Sequence, residues 1–196
     1  MANLNLSAVV FAVVLLCWVV FTLTFLVRKR PPLATEKKRD PSSIPGVFLQ
    51  AVSYPIVWVA WRPLFTSFVS FSKPLSVILE IAAGLTAIAS VVLVIAAVKT
   101  LGKEWSITAR VVTGHKLATA GPYRLVRHPI YTGMLGMLLA SGISISYWPA
   151  LLIALSVFFI GTLIRIRSEE QLLRETFGAE FESYTQKVPA LLPGMY

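Results

Sequence analysis

An all-α integral membrane fold with about five crossings is what this sequence predicts, and three observations predict it. The 196 residues are 56% hydrophobic and only 14% charged, with a mean hydropathy of +0.74, a balance foreign to ordinary soluble domains. The apolar residues fall in runs that can cross a hydrocarbon core, which takes about 20 residues of helix at 1.5 Å per residue. The basic residues cluster between those runs instead of spreading along the chain.

The first run, Leu6 to Val27, carries no charge and stops at Arg28-Lys29-Arg30. Its apolar part is too long for a cleaved signal peptide and no Lys or Arg precedes it, so it reads as a mature helix. The second run spans about Ile44 to Trp61 and the third Leu75 to Val98. The fourth, Pro129 to about Ile145, and the fifth, Pro149 to Ile164, are separated only by Ser146-Tyr147-Trp148, which reads as a helical hairpin with an interfacial aromatic turn. Between the first two runs the connector is rich in Pro and charge and reads as irregular. Leu64 to Phe71 is apolar but too short to cross, and is expected along the outer interface. The tail from Arg165 to Tyr184 has helical character with a stop at Gly178, and is expected to lie back over the membrane face. The chain divides into residues 1–100, about three crossings with a basic loop, and residues 101–196, a catalytic region with hairpin and tail.

Charge sets the orientation. With five crossings, all of the 18 Lys and Arg residues except Arg62 and Lys73 fall on one side. Positive loops stay cytoplasmic, so the N-terminus is expected outside and the C-terminus inside. The net charge of +9 flanks membrane helices and no nucleic-acid module accompanies it, so the bilayer and its anionic headgroups are the expected partners, with no nucleic acid. Cys17 is the single cysteine and lies in the first run, which leaves no intrachain disulfide and no cysteine-rich metal site. A metal centre is not expected, since His115 and His128 are the only histidines. Glu80 lies about one turn inside the third run, where an isolated carboxylate is costly; pairing with Arg62 or Lys73, or reach to the headgroups, is expected of it. Ala83, Ala87, Gly133, Gly136, Ala140 and Gly142 suit close helix packing.

Two polar clusters remain once the helices are placed. GPYRLVRHPIYTG, Gly121 to Gly133, sets Arg127 and His128 directly against an apolar helix. Pro129 pushes His128 out of helical geometry and begins the next helix where its missing N–H does no harm. A helix start of this kind favours an anionic group, and Tyr123 and Tyr131 add aromatic faces that stack on a base or approach a cation. Across the hairpin, RIRSEEQLLRETFG begins with Arg165 and carries the adjacent carboxylates Glu169 and Glu170, acceptors for ribose hydroxyls or an ammonium. A ligand combining an amine, a carboxylate, a sulfonium and an adenosine uses all of these groups.

HKLATAGPYRLVRHPIYTG, followed after a hairpin by RIRSEEQLLRETFGAEFESYTQKVPALLP, resembles the isoprenylcysteine carboxyl methyltransferase family, which is related in pattern to membrane phospholipid methyltransferases. The resemblance covers Leu101 to Pro193, with two motifs in the right order. It implies a helical membrane fold whose cytoplasmic C-terminal region encloses S-adenosylmethionine without the sheet of soluble methyltransferases. By position, the first family stretch falls on His115, Lys116, Leu117 and Ala118, with Tyr123 following; Ala118 replaces a usual valine. The second falls on Arg127, His128, Pro129, Ile130 and Tyr131. Arg165 stands where the family places a substrate-contacting arginine and Glu169 where it places a cofactor-contacting glutamate, while Glu170 is a second cofactor contact or a base. The acceptor is expected to be lipophilic, a carboxylate or a lipid headgroup, entering from the bilayer. Two rival readings are an NADPH-dependent membrane reductase of sterol-reductase type and a non-enzymatic membrane module.

Overall fold

A computed structural model describes residues 6–26, 36–63, 66, 68, 73–102, 110–112 and 117–192, with the main chain alone at 36–39 and 110–112. Five long helices dominate it: α1 (Leu6–Leu26), α2 (Ile44–Val59), α3 (Lys73–Leu101), α4 (Pro129–Ile145) and α5 (Trp148–Phe177). A short α6 (Ala179–Thr185) follows. Four of the five are long and apolar enough to cross a membrane, so this is a multi-pass membrane protein. The fifth, α4, has 17 residues and reaches only about 25 Å at 1.5 Å per residue, less than the hydrocarbon thickness of about 30 Å. Its shortness is tolerable because α1, α2, α3 and α5 all pack against it.

The side chains divide as a bilayer demands. Leu16, Leu85, Val92, Ile153 and Ile160 point outward with half or more of their surface exposed, while Val14, Val57, Ala87, Val94, Met137, Leu138 and Phe158 are sealed inside. Outward apolar surface on this scale suits lipid, not water. Helices approach closely where side chains are small. A Cβ on Gly136 would sit 2.1 Å from Ser90 Oγ, and one on Gly133 2.4 Å from Val94 Cγ2, which fixes the α3–α4 crossing. At the α2–α5 crossing a Cβ on Gly46 would meet the Gly161 carbonyl at 2.5 Å and Arg165 Cγ at 2.6 Å.

At the hairpin end, Arg62 closes the bundle. Its backbone N–H donates to the Ile145 carbonyl at 2.8 Å. Its guanidinium donates to the carbonyls of Ser146 at 2.7 Å, Ile143 at 2.8 Å, Ser144 at 3.0 Å and Thr66 at 2.9 Å. The final carbonyls of α4 have no partner within the helix, and a cation there also opposes the helix dipole favourably. Trp61, Tyr147 and Trp148 are exposed at the same end, as an interfacial belt requires.

Several expectations change. The fifth crossing and the start of the tail form one continuous helix, α5, because nothing between Ile164 and Phe177 breaks it; the stop comes at Gly178, whose φ of 51° suits glycine. Only the chain beyond Gly178 folds back. The connector after α1 is not wholly irregular, since Glu36–Arg39 (β1) pairs antiparallel with Arg110–Val112 (β2) across a bulge. A hydrogen-bonded ladder satisfies backbone groups that a loose connector would leave to water. Glu80 is 5% exposed and accepts from Ser7 Oγ of α1 at 2.9 Å, a partner beyond those expected of it, while its charge also acts on Arg62. Most of Leu64 to Phe71 lies outside the described residues.

Candidate functional site

At the opposite end from Arg62, the α4 start and the middle of α5 meet. A 3-10 turn at Gly121–Arg124 leads into the Arg127-His128-Pro129 corner, and His128 has φ −122° and ψ 61°, outside helical geometry as its following proline requires. Its side chain makes no cap hydrogen bond. It turns to α5 instead, with Nδ1 3.4 Å from Glu169 Oε2 and Nε2 3.3 Å from Glu170 Oε1. Adjacent positions on a helix diverge by about 100°, so one imidazole can reach both carboxylates only by standing between them. Burial opposes a charge on His128, but the hydrogen bonds and fields of Glu169 and Glu170 outweigh it and raise its pKa above 6.5. Donation from both ring nitrogens fits the imidazolium.

The two carboxylates are held differently. Glu170 is enclosed: its Oε1 accepts from Arg127 Nε at 2.9 Å and lies 2.8 Å from Arg127 Nη2, and its Oε2 accepts from Arg174 Nη2 at 3.3 Å. Arg127 further donates to the carbonyls of Thr185 at 3.3 Å and of Val188. The tail is bound to the same corner through Arg127 N to Pro189 O at 2.8 Å, His128 N to Ala190 O at 3.0 Å and Thr132 Oγ1 to Leu191 O at 2.6 Å. Glu169 keeps 23% of its side chain exposed against 8% for Glu170. It accepts from Tyr131 Oη and, at the long distance of 3.5 Å, from Arg165 Nη2. The Tyr131 ring stacks on His128 with centroids 5.4 Å apart and carries the Arg165 guanidinium 4.6 Å from its centroid.

The structure thus brings together Arg127, His128, Tyr131, Arg165, Glu169 and Glu170. Pro129 is buried and begins α4. Ile130 packs instead into the apolar cluster of α1 and α3, so it contributes a wall and no polar contact. Tyr123 is buried, and its carbonyl accepts from Tyr184 Oη at 2.6 Å. Burial pushes the Tyr184 hydroxyl up to about 12, which keeps it a donor at neutral pH. Leu117 and Ala118 are half-buried ahead of the turn, and His115 and Lys116 lie outside the described residues.

Three further residues complete the cluster, two of them, Gln50 and Asp40, from outside both motifs. Gln50, 1% exposed on α2, accepts from Arg165 Nη1 at 2.8 Å and donates to Thr162 Oγ1 at 2.7 Å. Asp40 accepts from Ser168 Oγ at 2.6 Å, tying the α1–α2 connector to α5. Arg174 links Glu170 to Glu182 of α6 at 2.8 Å. A glutamine in an apolar run was the one hint available for Gln50.

A profile described as phospholipid methyltransferase matches residues 78–180, more than half of the chain, including Arg127, His128, Tyr131, Arg165, Glu169 and Glu170. The chain belongs to the phospholipid methyltransferase family. It is 36% identical over 99 residues to a probable protein-S-isoprenylcysteine O-methyltransferase of Oryza sativa, covering 50% of this chain and 52% of that protein. It is 36% identical over 83 residues to protein-S-isoprenylcysteine O-methyltransferase B of Arabidopsis thaliana, 40% of each chain. It is 34% identical over 98 residues to the nickel-cobalt-cadmium resistance protein NccN of Alcaligenes xylosoxydans xylosoxydans, 48% of this chain and 44% of that one. The chain therefore spans about half the length of the relatives it matches.

Proposed function

We propose that this protein is an S-adenosylmethionine-dependent membrane methyltransferase whose site is the α4–α5 cluster. One observation carries the reading: two polar motifs, separated by the α4–α5 hairpin, converge on one end of the bundle around a partly open carboxylate, Glu169, beside a cation-bearing aromatic, Tyr131. Those groups match the cofactor, since Glu169 can take an ammonium or ribose hydroxyls, and Tyr131 holds that carboxylate through its hydroxyl. S-adenosylmethionine supplies an activated methyl group on sulfur. Everything else falls to the chain.

Methyl transfer is an in-line displacement, so alignment carries much of the rate. Arg165 is the candidate to orient an anionic acceptor through its planar fork. Glu170, surrounded by Arg127, His128 and Arg174, is poorly suited to act as a base and well suited to hold the corner and the tail in place. In this reading Leu117, Ala118, Pro129 and Ile130 shape the walls, and His115, Lys116 and Tyr123 complete the cofactor contacts. The acceptor is lipophilic and enters from the bilayer, as a carboxylate or a lipid headgroup, with the C-terminus and the site on the cytoplasmic side of the membrane.

The test is transfer of labelled methyl from S-adenosylmethionine by detergent-purified protein to an N-acetylated S-prenylcysteine and, separately, to phosphatidylethanolamine vesicles. Label in either product that disappears in Glu169→Gln supports the reading and separates carboxylate from headgroup chemistry. No transfer to either, together with saturable NADPH binding, would replace it with the reductase.

A further inference from the structure

On an isolated helix, Arg165 and Glu169 form an i, i+4 pair, and such pairs close readily on themselves. Here the pair is stretched to 3.5 Å, whereas Arg165 Nη1 lies 2.8 Å from Gln50 Oε1. Gln50 comes from a different helix and is fully sealed, with its amide N–H donated to Thr162 at 2.7 Å, so the orientation of its carbonyl oxygen toward Arg165 is fixed. The close crossing at Gly46 and Gly161 makes this reach possible, since a Cβ at Gly46 would occupy the space of Arg165 Cγ. An interhelical hydrogen bond adds only modest stability in a membrane. Its geometric consequence is larger: the guanidinium is drawn toward α2 and over the Tyr131 ring, and Glu169 keeps its exposed face.

We infer that Gln50 is a positioning residue that holds Arg165 back from Glu169, so that the carboxylate is kept available for the cofactor's ammonium or hydroxyl groups. The inference rests on the proposed cofactor site and adds a residue from α2, outside both motifs, to what sets its affinity. Remove the Gln50 carbonyl and Arg165 closes on Glu169, satisfying the carboxylate internally. A ligand must then displace a guanidinium from it.

The experiment is calorimetric titration of S-adenosylhomocysteine into wild type, Gln50→Leu, Gln50→Glu, Arg165→Gln and the Gln50→Leu/Arg165→Gln double variant, with thermal unfolding recorded for each. Gln50→Leu is expected to weaken binding about tenfold. Gln50→Glu, which still offers an oxygen to Arg165, should bind within about threefold of wild type. With Arg165 already replaced, Gln50→Leu should have no further effect on affinity. Equal loss from Gln50→Leu in both backgrounds, or a larger loss in Gln50→Glu than in Gln50→Leu, would show a packing role and overturn the inference. Wild-type affinity in Gln50→Leu would also overturn it. Should wild type itself fail to bind, the cofactor reading falls and this inference with it; binding by wild type with an uncoupled Gln50 sinks the inference alone.

Discussion

The two ends of the bundle are each organised by a buried arginine, and the difference between them separates architecture from function. Arg62 directs its hydrogen bonds at main-chain carbonyls, four of them at 2.7–3.0 Å. At the other end, Arg127, His128, Tyr131 and Arg165 meet carboxylate side chains, one of them partly open. Carbonyls at a helix end inside a membrane must be satisfied whatever the protein does, because lipid offers no substitute. Side-chain carboxylates have no such obligation; placing two of them among cations costs desolvation and yields partners that a ligand can replace. A buried cation alone is therefore no sign of a site, while the identity of its acceptors is.

The largest effect that this contrast predicts is at Arg62. Arg62→Ala should lower stability by about 3 kcal/mol, since it strands several buried carbonyls at once, read as thermal unfolding in detergent. Arg127→Ala should follow at about 2 kcal/mol, by leaving Glu170 short of its nearest cation and releasing the tail. Unlike Arg62, it should also expose the chain after Gly178 to limited proteolysis. If the two variants behave alike in proteolysis, the distinction between the ends is wrong.

Glu169→Gln should act in the opposite sense, costing about tenfold in S-adenosylhomocysteine affinity while shifting stability by less than about 1 kcal/mol. Acidity sharpens the comparison further. With a folded pKa raised above 6.5, His128 contributes stability that is fully present below pH 6.5 and is lost as pH rises through the folded value. Unfolding followed across that range should show the loss in wild type and a smaller one in Glu169→Gln, which removes one of the two charges that raise His128. An unchanged profile would mean that Glu169 does not act on His128. Smallest of all, Glu182→Ala breaks a pair whose side chains are about half exposed, and should cost under about 0.5 kcal/mol.

Much of this contrast was legible in the chain. Five apolar runs gave five helices, because hydropathy over 16 to 30 residues is a strong and local signal. The corner at Arg127-His128-Pro129 was legible for a similarly local reason, since proline constrains its predecessor wherever it occurs. Glu169 and Glu170 were found together, yet their different burial was not, because it depends on Arg127 arriving from the α3–α4 connector and on the tail bound to that corner. The extension of α5 through Phe177 was missed because polarity changes at Arg165 while helix propensity does not. Gln50 and Asp40 were invisible for another reason: each matters through contacts more than 100 residues away.

The central claim is that the α4–α5 end, and not the Arg62 end, is a ligand site, and calorimetry with S-adenosylhomocysteine on wild type and Glu169→Gln tests it most directly. Saturable one-site binding by wild type, weakened about tenfold in a Glu169→Gln variant that melts like wild type, is the predicted result. Binding of equal strength in both proteins would contradict it, because the ligand would then sit somewhere other than at the carboxylate that the two motifs enclose.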